Sequence, residues 1–228
     1  MIRLFFYKDP RLLAREQKKD IRQKFTESVL RHQLGLSPEA FLRVARHDRG
    51  KPYLPDYPSF HFNQSDSGEW MVIGTSETEI GIDLEKIKER PYKDLLQRWF
   101  LPGEKLTIEE IQKEQPGRAS IEFIRLWTCK ESLLKYIGCG LGPDMSLHPV
   151  LSEIEDMNGK RIPYGEYLGK KLCFFSRILP LCSPYPRLLE YQAAEAEPGD
   201  FILSLCCECT TPPPIIQEQF LPEILLNE

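Results

Sequence analysis

The segment "RASIEFIRLWTCKESLLKYIG" at residues 118–138 most restricts how this chain can fold. Its apolar residues recur at helical spacing and predict a long helix that packs against a core. Glycine commonly follows the last turn of a helix, so we expect the helix to end at Gly138 or Gly140. The apolar stripe consists of Trp127, Leu133, Leu134 and Ile137.

Three charged residues interrupt this stripe or line its border. Lys130 projects from its middle, and Glu131 and Lys135 lie one turn apart along its edge. In isolation, Glu131 and Lys135 are typical of an i,i+4 surface ion pair. Lys130 alone is typical of a side chain whose stem packs on apolar groups while its amine reaches water. Together, the three charges also suit the border of a site for a charged ligand.

The segment "GIDLEKI" at residues 81–87 predicts a strand with two different faces. Alternation places Ile80, Ile82 and Leu84 on one side, and Asp83 and Glu85 on the other. The two carboxylates either belong to the solvent-exposed face of an amphipathic strand or bind a hard cation. Glu131, with lysines beside it, is a candidate third carboxylate, and such a set suits a magnesium-bound pyrophosphate.

The rest of the chain mixes strand and helix patterns without a regular βαβ rhythm. Strands are predicted at 2–7, in "FHFNQS" and "EWMVIGTS", and in short pieces between 145 and 209. Helices are predicted at about 12–34, which stops near Gly35, and after residue 91 with a break at 101–103. This order favours the α+β class. From Pro212 onward, we expect a tail on the surface.

Composition and cysteine content narrow the function. The formal net charge of −4 argues against a nucleic-acid-binding protein. The N-terminal segment predicts neither a signal peptide nor a membrane span, so we expect a cytoplasmic protein whose seven cysteines are reduced. "CCEC" at 206–209 could bind a soft metal, but its apolar neighbours favour a buried strand.

Three segments carry a resemblance to a known family. "RGKPYLPDYPSFHFNQSDS", "GIDLEKI" and "LWTCKESLLKYIGCGL" occur in this order within residues 49–141. They resemble the signature regions of the 4′-phosphopantetheinyl transferases of the larger, surfactin-synthetase-activating type. In that family the regions read GKP followed by FNxSHS, then GIDxE, then WxxKESxxK.

The resemblance implies a fold and a reaction. The fold is a pseudo-twofold α+β monomer, for which we predict units at 1–88, 89–209 and a tail at 210–228. The reaction is a Mg²⁺-dependent transfer, with Mn²⁺ possible, from coenzyme A to a serine of an apo acyl or peptidyl carrier protein. Adenosine 3′,5′-bisphosphate is released. The carrier would dock between about 138 and 175, and neither nucleic acid nor membrane is expected as a partner.

The resemblance also implies roles for individual residues. Asp83, Glu85 and Glu131 match the metal carboxylates, and Lys130 and Lys135 match lysines that face phosphate. Lys51 and Pro52 fall where the family holds the nucleotide, and Ser65 falls beside the 3′-phosphate position. Glu104 matches a glutamate that is sometimes assigned as the base for the attacking serine. The implied catalytic residues are Glu131, Lys135 and Glu104.

Two departures concern the recognition of the 3′-phosphate. Asp66 stands where the family has histidine, and a like charge about 4 Å from a phosphate costs roughly 4 kcal/mol at an effective dielectric constant near 20. The run from the first strand to the GKP loop is short, so Lys18, Lys19, Arg22 and Lys24 either replace the family's basic segment or form a solvated helix face. These departures predict a weakened dependence on the 3′-phosphate, relieved by histidine at position 66.

A second function stays open. A non-catalytic homologue that binds coenzyme A or carrier protein would also conserve much of this pattern. The missing histidine and the short N-terminal region favour it, whereas the complete set of acidic residues and Lys135 opposes it. The carrier's pathway, whether fatty-acid, polyketide or nonribosomal peptide synthesis, is not determined by these motifs.

Overall fold

The computed structural model describes residues 1–88, 91–140, 150, 152–155, 161–180, 189–190, 196–210 and 214–221, with the backbone alone for 152–155, 161–166 and 190. Its helices are α1 (Arg15–Leu34), α2 (Lys93–Trp99), α3 (Pro102–Glu114) and α4 (Pro116–Ile137), with a short 3₁₀ helix at Pro10–Leu13. Its strands are β1 (Ile2–Lys8), β2 (Ala45–Arg46), β3 (Pro52–Tyr53), β4 (His61–Ser67), β5 (Trp70–Ser76), β6 (Ile80–Lys86), β7 (Ser152–Glu155), β8 (Arg161–Tyr167), β9 (Lys170–Leu179), β10 (Leu189–Glu190), β11 (Phe201–Glu208) and β12 (Ile216–Leu221).

Two sheets form the centre of the molecule. The first has the order β12-β1-β5-β4, and the second has the order β6-β11-β9-β8-β7 with β10 paired to β9. Every pair in the second sheet is antiparallel, whereas β12 joins β1 in parallel. Helices and antiparallel strands therefore mix as predicted, and the α+β class is confirmed.

The two sheets pack face to face between layers of helix. One face of the first sheet packs on α1, through Phe5 and Met71 of the sheet and Phe25 of the helix. The opposite face meets the second sheet in a core that includes Leu4 and Ile82. The outer face of the second sheet is covered by α4, against which α3 packs. Helix, sheet, sheet and helix therefore follow one another across the molecule.

The helix α1 has one apolar face and one charged face. Ile21, Phe25 and Val29 recur every four residues and are buried against the first sheet. The helix ends at Gly35, which has a φ of 64° and lies in the left-handed region that glycine adopts without steric cost. The predicted helix at about 12–34 and its stop near Gly35 are therefore confirmed.

Helix α4 lies directly on strand β6. A Cβ atom placed on Gly81 would lie 1.9 Å from the carbonyl oxygen of Ser132 and 2.4 Å from the amide nitrogen of Tyr136. Only glycine allows so close an approach between a strand and a helix. Because Ile80, Ile82 and Leu84 face the first sheet, Gly81, Asp83 and Glu85 face α4.

The C-terminal part and the cysteines differ from expectation. The segment expected to lie on the surface as a tail contains β12, which extends the first sheet.

The prediction that all cysteines are reduced is wrong for Cys173 and Cys209, which form a disulfide. The register of β9 and β11 places Cys173 opposite Cys207. Cys209 follows two residues later, and its amide donates to the carbonyl oxygen of Lys171, two residues before Cys173. Cys206 and Cys207 are buried in β11, as the strand interpretation predicts.

The predicted division at residues 88 and 209 stays a prediction. Strand β6 hydrogen-bonds along its length to β11 of the second sheet, while its apolar face packs on the first sheet. The proposed docking segment at about 138–175 includes residues 141–149, 151 and 156–160, which lie outside the described part of the chain. Among the described residues, no helix combines the length and apolarity needed to cross a bilayer.

Candidate functional site

Asp83, Lys135 and Ser65 form a closed set of contacts between β6, α4 and β4. The amine of Lys135 lies 2.7 Å from Oδ1 of Asp83 and donates to the hydroxyl of Ser65 at 2.9 Å. Ser65 in turn donates to Oδ1 of Asp83 at 2.9 Å. The structure thus brings together three predicted site residues that are far apart in sequence.

The side chains of β4 explain why these residues meet. Asn63, Ser65 and Ser67 alternate along β4 and accept hydrogen bonds from the backbone amides of Ile82, Leu84 and Lys86, respectively. Strand β6 is the edge of the second sheet, so these amides lack a backbone partner on that side. The "NxSxS" alternation therefore satisfies the edge of β6 and fixes Ser65 beside Asp83.

The remaining oxygen of Asp83 is a candidate ligand for a cation. The Asp83 side chain is 6% exposed, and its Oδ2 atom is buried without a hydrogen-bond partner among the described residues. A buried carboxylate oxygen of this kind is costly unless a donor or a cation satisfies it. Carboxylate oxygens are the ligands that Mg²⁺ prefers. This observation fits a hard cation at Asp83.

The other two predicted metal ligands lie on the strand that carries Asp83 and on the helix that faces it. Glu85 follows on the same face of β6, and its Oε2 accepts a hydrogen bond from Ser67 at 3.3 Å. Glu131 is half-buried on α4, one turn before Lys135. Within the described ranges, no group of three or more His, Cys, Asp or Glu side chains is close enough to hold a metal ion. The amine of Lys135 occupies one oxygen of Asp83 instead, and the three-carboxylate assignment stays a prediction.

Lys130 and Glu104 form a buried ion pair that fastens α3 to α4. The Lys130 amine lies 2.9 Å from Oε2 of Glu104, and the two side chains are 1% and 2% exposed. Glu104 also accepts hydrogen bonds from the amides of Leu101 and Val150. Burial lowers the pKa of Lys130, while the Glu104 charge acts in the opposite direction. The amine of Lys130 is therefore not in water, contrary to the snorkelling interpretation.

These contacts bear on two predicted roles. Each carboxylate oxygen of Glu104 already accepts a hydrogen bond. The side chains of Glu104 and Lys130 are both buried. The phosphate-facing role of Lys130 and the catalytic role of Glu104 stay predictions. In the structure, Glu104 caps the start of α3 and joins it to the middle of α4 through the ion pair with Lys130.

Lys51 connects the "GKP" loop to the end of α4. Its amine donates to the carbonyl oxygen of Tyr136 at 2.6 Å and pairs with Glu79 at 2.7 Å. A cation at this position interacts favourably with the C-terminal end of the helix dipole. Burial lowers the pKa of Lys51, and Glu79 partly offsets the effect. Pro52, the next residue, lines a cleft beside α1.

The cleft that Pro52 borders is strongly basic. It has a volume of about 500 Å³ and lies between α1, the β2–β3 hairpin and β4. Most cations that line the cleft come from the charged face of α1, and Glu27 of the same helix contributes one carboxylate. The cations are Arg15, Lys18, Lys19, Arg22 and Arg46. Lys18, Lys19 and Arg22 line this cleft, whereas Lys24 is not part of its lining, and both interpretations of the basic face of α1 stay open.

Asp66 pairs with the cations of this cleft. Its carboxylate forms ion pairs with Lys18 and with Nε of Arg22, the latter at 3.0 Å. The estimated repulsion between Asp66 and a phosphate assumed a bare carboxylate. Because two cations lie against it, a phosphate in the cleft does not face a bare negative charge, and this estimate does not apply.

Sequence reasoning missed several residues around the site. Asn63 and Ser67 hold β6, and Glu79 holds Lys51, yet none was singled out. For Asn63 and Ser67, the signal was available in the two-residue alternation of "FNQSDS". The pairing of Asp66 with Lys18 and Arg22 has no comparable local signal.

Comparison with known proteins shows which family this part of the chain resembles. Residues 79–178 match the family model of the 4′-phosphopantetheinyl transferase superfamily. A 4′-phosphopantetheinyl transferase of Bacillus subtilis is 39% identical over 107 residues, which are 47% of this chain and 46% of the relative. The region that matches the family model contains β6, α3 and α4. Its predicted site residues are Asp83, Glu85, Glu104, Glu131 and Lys135.

Two further relatives show the same resemblance. The 4′-phosphopantetheinyl transferase Sfp of Bacillus subtilis strain 168 is 33% identical over 114 residues, 50% of this chain and 49% of its own. The mouse L-aminoadipate-semialdehyde dehydrogenase-phosphopantetheinyl transferase is 34% identical over 122 residues, 47% and 38% of the two chains. The chain spans about half the length or less of the curated relatives it matches here. The resemblance to transferases of the Sfp type is confirmed.

Proposed function

We propose that this chain transfers the 4′-phosphopantetheine arm of coenzyme A to a serine hydroxyl of an apo acyl or peptidyl carrier protein. In this reaction the serine oxygen bonds to the phosphorus that bears the arm and its hydroxyl proton passes to solvent. The P–O bond of the pyrophosphate breaks, and adenosine 3′,5′-bisphosphate leaves. The observation that supports the proposal most is the Asp83 carboxylate, which is paired with Lys135 through one oxygen and has its other oxygen buried without a partner in the described residues. The relatives described above are named 4′-phosphopantetheinyl transferases, which supports the same reaction class.

A divalent cation suits this arrangement. We assign Asp83, Glu85 and Glu131 as the residues that would hold Mg²⁺ or Mn²⁺. When bound, the cation supplies charge neutralisation for the pyrophosphate of coenzyme A. Oxygen ligands suit both metals, so the choice between them is left to experiment.

The protein's own side chains position the substrate and neutralise the charge of its phosphates. The side chain of Lys135 is 28% exposed, so its amine can contact a phosphate oxygen while Asp83 and Ser65 fix its direction. Lys51 and Pro52 hold the loop between the end of α4 and the basic cleft, where we place the nucleotide. The Lys130–Glu104 pair keeps α3 against α4, which maintains the position of the helix edge that carries Glu131 and Lys135. Positioned charges of this kind supply much of the catalysis in phosphoryl transfer.

The decisive experiment is a mass measurement on carrier proteins. Apo carriers from fatty-acid, polyketide and nonribosomal peptide synthesis are each incubated with the protein, coenzyme A and Mg²⁺. We expect a mass increase that equals one phosphopantetheine arm, lost on chelation and restored by Mg²⁺ or Mn²⁺. Binding of coenzyme A without any mass increase in all three carriers would instead support the non-catalytic alternative.

A further inference from the structure

Strand β4 separates two charged environments. Ser65 points toward β6, where it contacts Asp83 and Lys135. Gln64 points toward α1 and accepts a hydrogen bond from Thr26 at 2.6 Å. Asp66 shares the α1 side, as strand alternation requires. Consecutive residues of one strand therefore connect the candidate cation site to the basic cleft.

The Asp66 carboxylate is covered by its two partners. Its side chain is 6% exposed, whereas those of Lys18 and Arg22 are 34% and 40% exposed. Lys18 and Arg22 lie one turn apart on the charged face of α1, and both line the cleft. An ammonium group has three donors and a guanidinium has five. Contact with Asp66 thus leaves donors on both cations for an anion in the cleft.

We propose that Asp66 is a positioning residue, which holds Lys18 and Arg22 so that they bind a phosphate monoester in the cleft. This inference rests on the proposed function, in which the phosphate monoester is the 3′-phosphate of coenzyme A. A carboxylate at the position where the family has histidine therefore acts on the phosphate indirectly, through the two cations.

Preorganisation explains why an acidic residue strengthens binding of an anion here. Lysine and arginine have long side chains that lose rotamer freedom when a ligand immobilises them. Asp66 fixes both in the free protein, so less freedom remains to be lost on binding. One carboxylate against two cations still leaves a net positive charge on this trio, and Arg15, Lys19 and Arg46 add to it.

The test compares two donors that differ only in the 3′-phosphate. Dissociation constants of coenzyme A and dephospho-coenzyme A are measured calorimetrically on the full chain without carrier protein. We expect the wild type to prefer coenzyme A at least tenfold. In Asp66→Asn, coenzyme A should bind about five- to tenfold more weakly, while dephospho-coenzyme A changes less than twofold. Asp66→Glu should restore part of the preference.

Glu27→Gln is the matched control, because Glu27 lines the same cleft and accepts a hydrogen bond from Gln23. Loss of its charge should leave coenzyme A affinity within twofold or raise it. If Asp66→Asn also raises that affinity, Asp66 acts by simple repulsion and the inference is overturned. Equal weakening of both donors, or a wild type without preference, overturns it as well.

Steady-state transfer separates this inference from the proposed function. Asp66→Asn should raise the KM for coenzyme A and leave kcat unchanged, because the reacting phosphorus is not bound in the cleft. Asp66-dependent donor preference without carrier modification would refute the transferase proposal alone. Full transfer with a donor preference unaffected by Asp66→Asn would refute the positioning role alone.

Discussion

The amine of Lys135 lies 2.7 Å from Oδ1 of Asp83, and both groups contact the hydroxyl of Ser65. The lysine comes from α4 and the aspartate from β6, which approach each other closely because residue 81 is glycine. This contact neutralises the carboxylate through one oxygen while the other oxygen has no partner in the described residues. The arrangement is less than optimal for stability in the free protein, and it is suited to receiving a cation.

We expect Asp83→Asn to remove activity at little cost in stability. The substitution removes the ion pair with Lys135, but the Lys135 side chain is 28% exposed and can be hydrated, and the amide offers a donor at the unpartnered oxygen position, so the free energy of unfolding should fall by only about 1 kcal/mol. Transfer should fall on the order of 100-fold or more, because a charge that positions the reacting group is lost. Carrier mass analysis and urea unfolding measure the two effects. A variant with near wild-type turnover would contradict the placement of Asp83 at the reacting centre.

Glu131 and Glu122 offer a matched comparison on one helix. Glu131→Gln should abolish Mg²⁺-dependent transfer if Glu131 contributes to the cation site. Glu122 forms an ion pair with Arg125 of the same helix at 2.8 Å. Glu122→Gln should retain full transfer and lose roughly 0.5 kcal/mol of stability. Equal activity in the two variants, measured over a series of Mg²⁺ concentrations, would remove Glu131 from the proposed ligand set.

Gly81→Ala should strongly destabilise the protein. The new Cβ would overlap the backbone of Ser132 and Tyr136, which cannot move without shifting α4. Overpacking usually costs about 1–3 kcal/mol, and a backbone clash should reach or exceed the upper end. Gly117, in the first turn of α4, has open space around its Cβ position. Gly117→Ala should therefore be neutral or stabilising by denaturant unfolding, and similar losses at both glycines would contradict the close packing of α4 on β6.

Much of the site's framework could be predicted from local patterns. The alternation in "GIDLEKI" places Asp83 on the face opposite Ile82, and the structure has it there. The helical spacing and terminal glycine of 118–138 predict α4, which ends with Gly138 at a φ of 81°. These features follow from the period of side chains along a single element, so they need no knowledge of the neighbouring elements.

Long-range pairings could not be predicted in the same way. Asp66 meets Lys18 and Arg22 only because α1 covers one face of the first sheet, and the sequence pattern does not fix which helix residue lies over which strand residue. Lys130 could be recognised as an unusual residue, but not as the partner of Glu104. The Cys173–Cys209 disulfide depends on the register of β9 and β11 in the same way.

The Lys130–Glu104 pair should show strong coupling in a double-mutant cycle. Lys130→Met and Glu104→Gln each leave the partner group buried and poorly compensated, at a cost of about 3–5 kcal/mol. The double variant should lose much less than the sum, because neither charge then remains. Urea unfolding at neutral pH gives the three values. Simple additivity would indicate that the pair does not form in solution. The partly buried i,i+3 pair Glu122–Arg125 provides a comparison cycle with weaker expected coupling.

The buried thiol of Cys207 should make the protein less stable in alkaline solution. Burial, together with the neighbouring Glu208, raises the pKa of Cys207 from its ordinary value of 9.0 to about 12. The unfolded chain therefore releases this proton at a lower pH than the folded protein does, and stability falls between about pH 9 and pH 12. At pH 10 the loss from this thiol should be roughly 1.4 kcal/mol. The group's contribution is fully present below pH 9.

A pair of variants isolates this effect from other groups that titrate in the same range. Burial also lowers the pKa of Lys51 and Lys130, which acts in the opposite direction, but wild type and variant share those lysines. Cys207→Ala should lower stability at pH 8 by leaving a cavity, then lose about 1.4 kcal/mol less than wild type between pH 8 and pH 10. Leu203→Ala, a buried and non-titrating position on the same strand, should be offset from wild type by the same amount at both pH values. Parallel pH profiles for wild type and Cys207→Ala would show that Cys207 does not titrate differently in the folded and unfolded states.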